Sequence, residues 1–215
     1  MKKTQIKDTV RNIRKQLVSF FSIIVIALLG VSIFLGLDYS SVHIRKNASD
    51  YFGAQKMRDI ELLSTLLFSQ DDLDKIRSTE GVADAEGVRQ VRGLASSGGD
   101  RVEVDVISLT QRLDLPQLDE GRLPETGTEC AVERELAEEM GWSVGDEIFL
   151  QDAQGSALQY LKGERFTLTG IADHPDHNNT MVAGIRYVMV TPEAFDADAL
   201  DGCFMKVEVA IGKVI

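Results

Sequence analysis

The chain has 215 residues and a net charge of −11, unevenly spread. Six Lys or Arg against one Asp precede Leu37, so that stretch carries +5 and leaves −16 for the rest. So acidic a remainder argues against a nucleic-acid partner, because phosphate contacts need clustered Lys and Arg. Two cysteines in unlike contexts, Cys130 and Cys203, are not a disulfide framework, and whether they pair is left open.

In residues 1–16, Ile6, Val10, Ile13 and Leu17 recur at spacings of four, three and four, the period of one helical face. Lys3, Lys7, Arg11, Arg14 and Lys15 fill the remainder. The pattern predicts a basic amphipathic tail along the lipid of the inner leaflet, and the same residues also suit a plain topology signal. Residues 17–37, LVSFFSIIVIALLGVSIFLGL, hold no charge and no Pro, and a bilayer core takes about 20 residues of helix at 1.5 Å each. A cleaved signal peptide is the rival, but its apolar region is shorter, and Leu37-Asp38-Tyr39-Ser40 lacks a small-residue cleavage pattern. Only Arg45 and Lys46 follow within ten residues, so the positive-inside bias puts the N-terminus in the cytoplasm and the main domain outside the cell membrane. Gly30, Ser32 and Gly36 leave small surfaces for a neighbouring helix.

Residues 38–53 keep helical character and are read as a stalk, with residues 54–215 the extracytoplasmic domain. Residues 59–64 read as a strand; Ser69 and Asp72 form a capping box opening a short helix to about Ser78, stopped by Gly81. Residues 82–94 and 101–109 are strand-like about the turn 96–100, and Val102, Val104 and Val106 alternate with Glu103 and Asp105 as a half-buried strand. A turn at 121–124 precedes a strand at 129–132. Then come a helix at 134–140 ended by Gly141, strands at 147–150, 166–171, 187–190 and 206–211, and a short helix at 192–195. Strands mixed with short helices and no regular βαβ period give the class α+β: one transmembrane helix, then a mixed-sheet domain.

The chain carries no G-x-S-x-G, Walker loop, H-E-x-x-H or G-x-G-x-x-G, so no catalytic constellation and no cofactor is expected. Asp173, His174, Asp176 and His177 have the chemistry of metal ligands, but consecutive loop residues around Pro175 read better as a polar turn. Glu80, Asp84 and Glu86 offer carboxylates that nothing sets across a substrate. The runs Asp71-Asp72-x-Asp74 and Glu133 to Glu139 read as solvated faces, and Trp142 as a helix-end packing residue.

Glu120-Gly121-Arg122-Leu123-Pro124, then residues 129–133, Leu136-Ala137-Glu138-Glu139-Met140-Gly141 and Val144-Gly145-Asp146-Glu147-Ile148, resemble the extracytoplasmic domain of FtsX/MacB-type ABC transporter permeases. Phe166-Thr167-Leu168-Thr169-Gly170-Ile171 and Tyr187-Val188-Met189-Val190-Thr191-Pro192 are similar to later strands of that family, and residues 9–15 to its opening amphipathic helix. The resemblance implies structural roles for Gly121, Arg122, Pro124, Gly145, Asp146 and Gly170. It also implies a permease half whose outer domain couples ATP hydrolysis to export or mechanical work, a cytoplasmic ATPase partner, and a second permease half, like or unlike. The family continues into further transmembrane helices and this chain has no second apolar run, so it is read as the N-terminal piece of a longer permease or as a truncated gene product. The alternative is a membrane-anchored sensor or ligand-binding module of the same topology.

Overall fold

The structure is a computed structural model that describes residues 17–175, 186–200 and 202–212. The tail residues Ile6, Val10, Arg11, Ile13 and Arg14, and the loop residues Asp176 and His177, lie outside the described residues. The chain divides into two units, Met1–Tyr51 and Phe52–Ile215.

The first unit is occupied by α1 (Leu17–Ala54), whose last turn belongs to the second. One unbroken helix therefore covers both the predicted span and the predicted stalk. Its large apolar side chains, among them Ile23, Ile26, Leu29 and Phe34, are exposed. A helix apolar on every face needs lipid or protein around it, and among the described residues α1 is the one helix long and apolar enough to cross a membrane.

The second unit contains, in chain order, β1 (Ile60–Phe68), α2 (Gln70–Arg77), β2 (Val82–Val88), β3 (Gln90–Ser96), β4 (Val102–Ser108), β5 (Gln117–Gly121), β6 (Glu129–Val132), α3 (Arg134–Met140), β7 (Glu147–Gln151), β8 (Arg165–Asp173), β9 (Arg186–Val190) and β10 (Phe204–Ile211). A single 3-10 turn, Pro192–Ala194, follows β9. The α+β expectation and most elements are met; β5, hidden in the charged stretch before Gly121, is the strand the pattern did not announce.

The strands form two sheets among the described residues. The smaller has the order β1-β10-β2, with β10 antiparallel to both neighbours. Its apolar face meets α2, where Leu73 and Ile76 pack on Leu62, Ala85, Val207 and Val209. α2 begins with the expected capping box: the Asp72 backbone N–H donates to the Ser69 hydroxyl, and the Ser69 N–H to the Asp72 carboxylate at 3.1 Å. The larger sheet has the order β5-β8-β6-β9-β4-β3-β7, and β7 also pairs with β8, so the ring β8-β6-β9-β4-β3-β7 closes on itself. Of the six pairs round the ring, two are parallel (β4 with β9, β6 with β8) and four antiparallel, and closure of such a ring requires an even number of reversals. Inside it Val104, Val106, Cys130, Val132, Ile148, Phe166, Leu168 and Val188 form one core with Leu136 and Ala137 of α3. Trp142 joins that core beside the Gly141 cap, as expected. Ile107, Ala131, Ala172, Tyr187 and Met189 form a second core on the opposite face, so central strands are buried on both sides.

Two expectations are corrected here. Asp105 is buried rather than solvent-facing, because Arg92 directly opposite on β3 covers it and donates at 3.0 Å. Glu133 is buried as well: the Arg186 guanidinium lies 3.4 Å from it and also pairs with Glu135 and Glu139, pinning α3 to β9.

A unit of roughly 160 residues with cores of this extent buries enough surface to fold alone. A fragment of residues 52–215 is expected to be soluble, with cooperative urea unfolding followed by circular dichroism. In it, Ser69→Ala should cost about 1 kcal/mol through loss of the cap; an unchanged midpoint would show that the box contributes nothing.

Candidate functional site on the polar face of the small sheet

Side chains alternate across a strand. With Leu62, Ala85, Val207 and Val209 turned toward α2, the residues between them share the other face. Glu61 stands opposite Glu208, and Glu208 opposite Glu86, so three carboxylates lie side by side across the sheet. Lys206 is one alternation along from Glu208. Like charges directly opposite repel, so this face needs counter-groups. They come from Arg58 and from the loop after β4.

Each carboxylate finds a different solution. Glu86 accepts the backbone N–H groups of Gln111, Arg112 and Leu113 at 2.9, 3.0 and 3.2 Å. Glu61 faces Arg58 at 2.9 Å and Lys206 at 3.1 Å. Asp114, fully buried on the loop, accepts the Arg58 backbone N–H at 2.8 Å and pairs through its second oxygen with the Arg58 guanidinium. Glu208, also fully buried, has Lys206 at 3.5 Å and Arg58 at 3.8 Å but no hydrogen-bond donor on either oxygen. Burial, with the Asp114 carboxylate beside it, pushes the Glu208 carboxyl up to about 8 against the pull of Lys206 and Arg58.

The same loop grips the chain leaving α1. The Asp114 N–H donates to the Lys56 carbonyl at 3.1 Å and the Leu115 N–H to the Gln55 carbonyl at 2.8 Å. Lys56 closes α1 as a Schellman motif, with Met57 N–H on the Phe52 carbonyl and Lys56 N–H on that of Gly53. Lys56 and Asp114 both have left-handed backbones, at φ 50° and 46°. Such conformations cost non-glycine residues about 1–2 kcal/mol each and persist where the surroundings over-determine them.

The motif residues build turns against β8. Gly121 (φ 73°) stands opposite Gly170; a Cβ on the first would strike the Thr169 carbonyl oxygen, and one on the second the Arg122 carbonyl oxygen. Arg122 forks onto Glu129 at 2.9 and 2.5 Å, and the Glu125 N–H adds to the same carboxylate at 2.9 Å. These contacts hold Glu129 down at about 2. Gly145 (φ 106°) donates to the Leu168 carbonyl at 2.8 Å, while Asp146 accepts the Ser143 N–H at 2.8 Å. Pro124 lines an open crevice of about 430 Å³ with Leu109, Thr110, Leu123, Pro192 and Glu193.

Asp173 ends β8 and His174 follows it. The Asp173 carboxyl is raised by burial and by nearby Asp119, and the buried His174 donates its backbone N–H to the Tyr187 hydroxyl at 2.8 Å. Among the described residues no three His, Cys, Asp or Glu side chains converge as a metal site. Cys130 is buried in β6 and Cys203 half-buried before β10, not joined to one another.

The sequence reading missed Arg58, Asp114, Lys206 and Glu208 as a set. Period-2 alternation does place Lys206 and Glu208 on one face of their strand, a readable signal. That the face is covered rather than solvated depends on a loop some ninety residues earlier in the chain, which alternation cannot report.

Removing one member of a buried ion network leaves the others unpaired, so Arg58→Met should destabilise the 52–215 fragment by about 3–5 kcal/mol in urea unfolding. A second test uses acid. Glu129 is depressed in the folded state, so its contribution is present above the ordinary carboxylate range and lost as pH falls through about 2. In Arg122→Ala the carboxyl returns upward, and the acid-unfolding midpoint should move to higher pH; no movement would remove the fork from the stability of this turn.

No protein-family model matches the chain, and no curated protein matches it in sequence. Among solved structures it is similar to the extracellular domain of the noncanonic ABC-type transporter YknZ from Gram-positive bacteria, at 12% identity and TM-score 0.49 over 70% of this chain and 76% of that one. It is similar to the periplasmic region of MacB from Actinobacillus actinomycetemcomitans, at 12% identity and TM-score 0.47 over 76% and 72%. A domain of a permease protein from Porphyromonas gingivalis is similar at 14% identity and TM-score 0.47 over 66% and 67%.

Proposed function

We propose that this chain supplies the first transmembrane helix and the outer domain of an FtsX/MacB-type ABC transporter permease. The observation that carries this reading is the ordered motif set. Gly121, Arg122, Gly145, Asp146 and Gly170 occur in the family's order, behind a single apolar helix, and in this fold each is used in a turn or close approach on β8. ATP hydrolysis belongs, in this proposal, to a separate cytoplasmic ATPase, and a second permease half completes the assembly.

The outer domain then serves to pass ATP-driven movement to export or mechanical work outside the membrane. The grip of loop 109–115 on Gln55 and Lys56 supports that role, since a coupling element needs a firm attachment where the chain enters the domain. The basic residues Arg11 and Arg14 with Ile6, Val10 and Ile13 are assigned to the inner leaflet, and the N-terminus to the cytoplasm. A second reading, a ligand-binding module, is favoured by one feature, the crevice beside Pro124.

The test is purification of the tagged chain from native membranes in mild detergent, with a protease arm on intact, wall-stripped cells. A co-purifying P-loop ATPase and digestion of the outer domain with an N-terminal tag spared are expected. Recovery of an intact complex without any nucleotide-binding subunit would overturn the permease reading, and protection of the domain would overturn the orientation.

A further inference from the structure

The polar face of the small sheet has an imbalance that its geometry does not relieve. Two cations, Arg58 and Lys206, serve three carboxylates, Glu61, Asp114 and Glu208, in a setting where Asp114 and Glu208 have no exposed side-chain surface. The fourth carboxylate, Glu86 on β2, is already satisfied by three backbone N–H groups of the loop. Arg112 brings no relief, because its guanidinium turns to Asp84 at 3.3 Å and to the Ala85 carbonyl at 3.1 Å. On the other face, Arg77 of α2 is likewise occupied, donating to the Ala85 carbonyl at 2.8 Å. Among the described residues the cluster thus holds one carboxylate more than its cations; Glu61 is partly exposed to water, but Glu208 is not, and an uncompensated ion there is costly.

We propose that this cluster carries a proton held between Glu208 and Asp114, and that its release loosens loop 109–115 from Gln55 and Lys56, making the attachment of the outer domain to its incoming chain a pH-operated latch. A protonated Glu208 becomes a donor, and the Asp114 carboxylate is the acceptor within its reach. Protonated, the network has two cations, two anions and a donor in place of a bare carboxylate. Deprotonated, Glu208 and Asp114 repel across a buried gap, and Asp114 is the residue whose N–H ties the loop to Lys56. Its left-handed backbone adds strain that opening relieves. The proposal stands on the second unit alone and does not depend on the permease reading.

The sign follows from linkage. A carboxyl raised in the latched state favours latching below its ordinary range, loses that advantage as pH climbs to about 8, and is level above. The latching equilibrium should therefore weaken roughly a hundredfold between pH 6 and pH 9. Hydrogen exchange of the full chain in detergent micelles, corrected for intrinsic rates, reads this on the peptide spanning 109–116. A large loss of protection there in the wild type, with Glu208→Gln flat over the same range and α3 peptides unaffected, is the expected result. Equal pH dependence in Glu208→Gln and wild type, or constant protection in the wild type, would overturn it. If the variant fails to fold, carbon-13 titration of the wild-type Glu208 carboxyl decides: a midpoint near 8 supports the latch, and one in the ordinary carboxylate range refutes it.

Discussion

Strand β8 is the element on which the large sheet depends. One of its edges carries β6, while the other carries β7 along its first half and β5 along its second. Ring closure and the attachment of β5 therefore both require two backbones to approach β8 on the same edge, one after the other. The second approach is possible only where Gly121 meets Gly170, since a Cβ on either would strike a carbonyl oxygen of the other strand. Just upstream, Leu168 joins Gly145 and Asp146 by a hydrogen bond in each direction, so the turn before β7 is tied to the same strand. Turn residues scattered over fifty positions, Gly121, Arg122, Gly145 and Asp146, thus converge on three consecutive residues of one strand, Leu168 to Gly170.

The small sheet obeys a different constraint. Its central strand, β10, comes from the end of the described chain, whereas its outer strands come from the start of the domain. The strands of the large sheet lie between them in sequence, so the small sheet closes only after those strands have been made. Its apolar face is ordinary packing against α2. Its polar face is covered by the loop leaving β4, and that cover buries Glu208 with Asp114 and half-buries Glu61 and Glu86. Buried ion networks add little net stability, because desolvation offsets attraction. What they do provide is geometric demand: Arg58, Asp114 and Glu208 tolerate each other in few arrangements. Here the demand falls where the chain passes from α1 into the domain.

Charge also organises the surface around α3. Arg186 on β9 gathers Glu133, Glu135 and Glu139, and Arg134 pairs with Asp119 at 2.5 Å. Without these cations the acidic run would repel itself along one helix face. Burial raises the Glu133 carboxyl to about 7 even so, with Arg186 pulling the other way. The strong negative charge of the domain is therefore partly internal pairing rather than a uniform acidic coat.

Local chemistry was legible from the residues themselves. The apolar run from Leu17, the Ser69–Asp72 box, the Gly141 cap and the alternation of Val102, Val104 and Val106 each depend on neighbours within a few positions, and each predicted its element. Strand β5 escaped because Gln117 to Gly121 is polar and exposed, held by pairing to β8 instead of by its own pattern. Burial of Asp105, Glu133 and Glu208 was equally hidden, since in each case the covering groups come from another strand or loop. The sequence by itself determined the helix, the α+β character and the turn residues, which are set by local sterics and period. Which strand closes the ring, which lies at the centre of the small sheet, and which carboxylate is left without a donor were decided only by tertiary structure, because those depend on which distant backbones meet.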